Sequence, residues 1–125
     1  MTQRILIVDD SATIRGQLGA LLSANGYEVI EAEDGVSGLE AAQREDVDML
    51  IVDVNMPRMN GIEMIKEVRA LERLAHTPIF MLTTEATKGV MAQGKSAGAT
   101  AWIIKPFRPE ILLKGIARVL LPVAA

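Results

Sequence analysis

Five times along its length this chain alternates a short apolar run with a longer stretch of helical periodicity. Residues 4–8 form a β-branched run, and Ser11 then caps a helix whose apolar positions Ile14, Leu18, Leu21 and Leu22 share one side. Asn25-Gly26 stops it. Residues 27–31, with Tyr27, Val29 and Ile30, predict a second strand, and Asp34-Gly35 opens a helix through Leu39, Ala41 and Ala42. A third strand covers 48–53, and residues 55–61 form a loop punctuated by Pro57 and Gly61. A third helix follows, with Ile62, Ile65, Val68, Leu71 and Leu74 on one side. Residues 78–82 predict the fourth strand, 87–97 a helix, 100–104 the fifth strand and 109–120 a last helix ended by Pro122. Such βα repetition over short connections implies a parallel sheet with right-handed crossovers and helices on both faces. The expectation is an α/β chain forming one domain over 1–125, with no output domain.

Composition agrees with a sheet covered on both sides. Half the residues are apolar but only 3% are aromatic, so the core must be aliphatic. The formal charge of −3 argues against nucleic-acid binding by counterion release. Without cysteine there is no disulfide, thiol nucleophile or thiolate metal site, and the lone His76 rules out a multi-histidine metal centre. The first apolar run is only four residues long and meets two aspartates, which a secretory signal would not tolerate. No segment has the length of a membrane span. A cytoplasmic protein is expected, with neither membrane nor nucleic acid as partner.

The strand ends carry the chemistry. Ile5-Leu6-Ile7-Val8 runs into Asp9-Asp10, Leu50-Ile51-Val52 into Asp53, and Ile103-Ile104 into Lys105. Charged groups at the tips of dry strands must be hydrated, paired or metal-bound. In a parallel sheet these tips share one edge, where open α/β folds place their ligands. Carboxylates about 4 Å apart repel by roughly 4 kcal/mol at an effective dielectric near 20, so three of them need a cation. Oxygen-only ligands suit Mg²⁺. Asp53 is thus a metal ligand, a base or a nucleophile for a phosphoryl group. Lys105 either neutralises the acids or meets a phosphate. Thr83-Thr84 end the fourth strand, where a hydroxyl can donate to a phosphoryl oxygen. Neither a Walker-type loop nor Gly-x-Gly-x-x-Gly is present. His76 reads as a loop residue, and Arg69, Glu72 and Arg73 as an ordinary solvated helix face. The fourth helix is unusual in holding Gly89 and Gly94 inside and Gly98 at its end, which fits either a marginal surface helix or an element left soft to shift.

Together these residues resemble the receiver domains of two-component response regulators, most closely the single-domain chemotaxis regulators. The matching motifs are Asp9-Asp10, Asp53 followed by Asn55-Met56-Pro57-Arg58-Met59-Asn60-Gly61, Thr83, and Lys105-Pro106-Phe107, spread over essentially the whole chain. The resemblance implies a flavodoxin-like (βα)5 fold with strand order 2-1-3-4-5, the order that the handful of well-known doubly wound examples includes for this family. It implies Asp53 as phosphoacceptor, Mg²⁺ held by Asp10, Asp53 and the Asn55 carbonyl with Asp9 acting through water, and Lys105 and Thr83 on the phosphoryl oxygens. A cis Lys105-Pro106 bond is expected. The partners implied are a histidine kinase as phosphodonor, a phosphatase, and an output protein such as a flagellar motor switch component, which a monomer would bind through the face formed by the fourth helix, fifth strand and fifth helix. The chain would then be no enzyme beyond its own aspartyl phosphorylation and dephosphorylation.

Asn55 and Glu85, two residues beyond Asp53 and Thr83, are positions that tune phosphoryl lifetime in this family, and their pairing implies seconds to minutes. Two departures stand out. Trp102 replaces the usual Tyr or Phe whose rotamer reports the switch, and Thr84 replaces a small residue and narrows access to Asp53. The alternatives are a phosphate sink or relay receiver, a Mg²⁺-dependent phosphohydrolase with Asp53 as nucleophile, and a passive flavodoxin-like binder. The hydrolase is disfavoured by Asn55 where a second acid is needed, and the binder by three acids that would repel a flavin phosphate.

Overall fold

The computed structural model describes residues 2–84 and 87–120. Five strands, β1 (Arg4–Val8), β2 (Glu28–Ala32), β3 (Met49–Asp53), β4 (Ile79–Thr83) and β5 (Ala101–Ile104), pair in parallel in the order β2-β1-β3-β4-β5. They alternate with helices α1 (Ala12–Ala24), α2 (Gly35–Arg44), α3 (Gly61–Arg69), α4 (Lys88–Ala97) and α5 (Pro109–Val119). This is the expected α/β topology, with strand and helix ends within a residue or two of the periodicity except at the third helix.

Side chains alternate across the sheet and divide the core in two. Leu6, Val8, Leu50, Val52, Ile79 and Met81 face a layer containing Ala41 and Ala42 of α2, Met64, Ile65 and Val68 of α3, and Ala97 of α4. Ile5, Ile7, Met49, Ile51, Phe80 and Leu82 face Leu18 and Leu22 of α1 and Leu112 and Ile116 of α5. Each Val, Leu, Ile, Met or Phe among them contributes about 1.5–3 kcal/mol on full burial. β3 and β4 are buried along their whole length, the condition of central strands covered on both faces.

Local chemistry sets the helix starts. Ser11 accepts from the Ile14 N–H, Asp34 from Ser37, Asn60 from Glu63 and Thr87 from Val90. The third helix departs from the expectation. It ends at Arg69, and Leu71 instead precedes a separate turn of 3-10 helix over Glu72–Leu74 that turns Leu74 into the core.

The predicted solvated face is corrected at Arg69, which is half-buried, while Arg73 is exposed as expected but also engages backbone carbonyls. Arg69 donates from Nε and Nη2 to the Gly98 carbonyl at 3.0 and 2.7 Å and from Nη1 to the Leu74 carbonyl at 2.7 Å. Arg73 reaches the carbonyls of Ala42, Gln43 and Glu45 at the end of α2. Both guanidiniums thereby satisfy the orphan carbonyls of helix C-termini. Glu72 and His76 are exposed.

In α4 the glycines separate. Gly89 has open space where a Cβ would stand, whereas a Cβ on Gly94 would lie 2.2 Å from Met81 Sδ. Gly98 caps the helix at φ +115°, a left-handed conformation that suits glycine. Gly94 is therefore required by packing beneath the helix, which softness alone does not explain.

Candidate functional site

The strand register brings the charged tips together. Val8 pairs with Val52, so Asp9 and Asp53 follow side by side as β1 and β3 end. Val52 pairs with Met81, and Met81 with Trp102, which sets the ends of β4 and β5 beside them. Thr83 pairs with Ile104, and the Lys105 N–H donates to the Thr83 carbonyl at 2.8 Å. Thr83 is fully buried. The sheet, rather than any single loop, fixes the constellation.

Asp9, Asp10 and Asp53 each place a carboxylate oxygen within 4.8 Å of the others. Asp9 is buried and Asp53 is only 5% exposed, while Asp10 faces solvent. One oxygen of Asp9 accepts the Ser11 N–H at 2.9 Å, and the Arg15 guanidinium donates to the Asp9 carbonyl at 2.5 Å. The other Asp9 oxygen lies 2.9 Å from Lys105 Nζ, which also stands 3.3 Å from Asp53. That contact is an ion pair without hydrogen-bond alignment, so the buried Asp9 Oδ2 retains acceptor capacity.

Electrostatics follow from this crowding. Burial, and then the charge of Asp9, push the Asp53 carboxyl up to about 6 despite the opposing pull of Lys105. Burial by itself would lower the Lys105 ammonium, but Asp9 and Asp53 override it and hold it above its ordinary value. Three carboxylates against one ammonium leave an excess of negative charge at an all-oxygen site. The donor set and the under-satisfied Asp9 oxygen both fit a hard divalent cation such as Mg²⁺.

Among the described residues, the other predicted positions lie on the strands and loops next to these tips. Asn55 is exposed on the loop after β3, whose return is closed by the Gly61 N–H donating to the Val54 carbonyl at 2.9 Å. A Cβ on Gly61 would lie 2.1 Å from the Asp53 carbonyl oxygen, so glycine allows the loop to close against the backbone of Asp53. Thr84 is exposed, and Glu85 lies outside the described residues. The Lys105-Pro106 peptide is cis. Trp102 is half-buried, with its Nε1 enclosed beneath α4 beside Gly94 and making no hydrogen bond among the described residues.

The model of the response regulator receiver domain matches residues 5–117. The chain belongs to the response regulator receiver family. Among curated receivers it is similar to chemotaxis protein CheY1 of Helicobacter pylori, 43% identical over 94% of this chain and 96% of that protein. Among solved receivers it resembles Vibrio cholerae chemotaxis protein CheY4, with 47% identity, a TM-score of 0.92, and 96% and 100% of the two chains covered. A third, the receiver domain of the Pseudomonas aeruginosa sensor histidine kinase PA1611, has magnesium coordinated in its active-site cleft. It is 30% identical at a TM-score of 0.88, over 94% of this chain and 97% of that one. The chain is thus a CheY-type receiver, and the flavodoxin-like arrangement of its elements is that of its structural neighbours. Among the described residues no helix is long and apolar enough to cross a membrane.

Periodicity and motif reading did not reach every residue that shapes the site. Arg15 on the Asp9 carbonyl, and Arg58 on Asp34 at 2.7 Å, act across elements and leave no local spacing signal.

Proposed function

We propose that the chain is a response-regulator receiver that accepts a phosphoryl group on Asp53 from a histidine kinase and signals by binding another protein. The observation that supports this most is the gathering of Asp9, Asp10, Asp53 and Lys105 at one sheet edge, with Asp53 buried. An Asp53 Oδ attacks phosphorus, the P–N bond of the phosphohistidine breaks, and the imidazole leaves with the electron pair. A carboxyl near 6 is ionised at neutral pH and ready for this role. Asp10, Asp53 and the Asn55 carbonyl would hold Mg²⁺, with Asp9 acting through water; the ion supplies charge neutralisation, which phosphoryl transfer chiefly needs. Lys105 would exchange its carboxylate partners for the phosphoryl oxygens, and the Thr83 hydroxyl would donate to one of them.

The output would be a population shift on the α4-β5-α5 face, with Trp102 as its aromatic reporter and Thr84 limiting access to Asp53. Ile104 and Ile111 are the exposed large hydrophobics among the described residues, at 46% and 56%, and both line a groove of about 370 Å³ between β5 and α5. Such a patch suits a protein partner, in chemotaxis a flagellar motor switch component. The protein would act as a monomer, and a phosphatase would shorten the signal. Incubation with acetyl phosphate and Mg²⁺ is expected to add one phosphoryl group by mass, absent in Asp53→Asn and lost over seconds to minutes. A chain that stays unmodified, or a phosphoryl half-life of hours, would overturn the corresponding part of this reading.

A further inference from the structure

Arg58 lies three residues after Asn55, at φ +67°. It is the non-glycine residue with positive φ among the described residues, and the Met59 N–H donates to the Pro57 carbonyl at 2.8 Å across it. A hydrogen bond from i+2 to i around a positive φ is the γ-turn of the rare, strained kind. Strain of this sort persists only where the surroundings over-determine it.

The surroundings here come from α2, more than twenty residues earlier in the chain. The Arg58 Nε and Nη2 converge on Asp34 Oδ2 at 2.9 and 2.7 Å. Asp34 is itself fixed: it is 4% exposed, and its Oδ1 accepts the Ser37 N–H at 2.8 Å as the N-cap of α2. That N–H bond, against the cost of burial and with help from Arg58, holds the Asp34 carboxyl below the ordinary carboxylate range, so it stays charged. The next residue closes the joint, because a Cβ on Gly35 would lie 2.2 Å from the Met59 carbonyl oxygen. With the Gly61 N–H on Val54, the arc that carries Asn55 is tied at its base and at its apex.

We infer that Asp34 and Arg58 are positioning residues for the divalent cation, their ion pair holding the Asn55 loop in the shape that binds it. The inference rests on the proposed Mg²⁺ site and extends it to a helix that contributes no ligand. Neither residue touches the acid cluster. Their effect passes through the loop, as outer-shell groups orient ligands at metal sites.

The test is a calorimetric Mg²⁺ titration of the full chain, with amide exchange of residues 55–61 followed without metal. Arg58→Gly accepts the positive φ and removes the ion pair, and Asp34→Asn breaks the same pair without the backbone freedom that glycine adds to the loop. Asp34→Asn keeps an N-cap for α2 and removes the charge. Each is expected to weaken Mg²⁺ binding about tenfold, the low end for outer-shell groups, and to speed exchange in the loop. The double variant is expected to be no weaker than the worse single one, because the two residues act as one unit. Wild-type Mg²⁺ affinity in Arg58→Gly, or wild-type affinity and exchange in Asp34→Asn, would overturn the inference. If instead the unaltered chain fails to bind Mg²⁺, the receiver-site reading fails.

Discussion

Replacing Asp53 with asparagine removes a charge that the metal-free fold holds at a cost, and the cost can be worked out. The folded carboxyl lies at about 6 against an ordinary 3.8, a difference of 2.2. At 1.36 kcal/mol for each unit, ionised Asp53 costs the folded state at most about 3 kcal/mol at neutral pH. Lys105 does not lose its footing in the variant, because it keeps Asp9 at 2.9 Å. The folded value is raised, so between pH about 4 and 6 the folded chain binds the extra proton and this group's destabilisation grows as pH rises. Urea denaturation in a chelator should therefore find Asp53→Asn more stable by about 2–3 kcal/mol at pH 7.5. The gap should close on acidification through pH 6 to pH 4. Saturating Mg²⁺ should narrow it from the other side, since a ligand at one hundred times its Kd adds about 2.7 kcal/mol to the wild-type protein. A variant less stable than wild type at pH 7.5, or a gap that does not change with pH, would refute the burial argument.

Two further outcomes probe the same region. Lys105→Met should raise Mg²⁺ affinity on the order of tenfold in a titration at pH 8, because it removes a cation 2.9 and 3.3 Å from two prospective ligands; weaker binding would mean the lysine does not compete. The two α4 glycines should respond with opposite sign. Gly89→Ala meets open space and should gain about 0.5–1 kcal/mol of helix propensity, whereas Gly94→Ala must displace Met81 and should lose about 1–2 kcal/mol net while shifting Trp102 fluorescence. Equal effects at the two positions would contradict the packing described beneath the helix.

Much of the fold was legible because its determinants are local. Apolar runs ending in Asp9, Asp53 and Lys105 located three strand tips, and cap residues such as Asp34 and Ser11 located helix starts. The family motifs supplied strand order, which periodicity cannot. Arginine was misread for a physical reason: its stem packs like a hydrophobe while its head seeks carbonyls far along the chain. Arg69 finds Gly98 and Arg73 finds Ala42, at separations that no window of helical spacing spans. The third helix was overextended for a related reason, since Leu71 and Leu74 continue its apolar rhythm after its backbone has turned into 3-10 helix. Arg58 was visible only as one letter of a motif, because its partner Asp34 is contributed by another element.

The Arg69 clamp on Gly98 also sets a limit on how α4 can move. Fastened at its C-terminal end and capped, among the described residues, by the Thr87 hydroxyl at the other, the helix is a rod hinged at one end. Its ten residues span about 15 Å. A swing of about 5° then carries Lys88 by roughly 1 Å and leaves Ala97 almost in place. Displacement along such a rod is graded, so amide exchange on activation should change most at Lys88 and fade toward Ala97. A partner sensing the rod gains the greatest discrimination by gripping its free end.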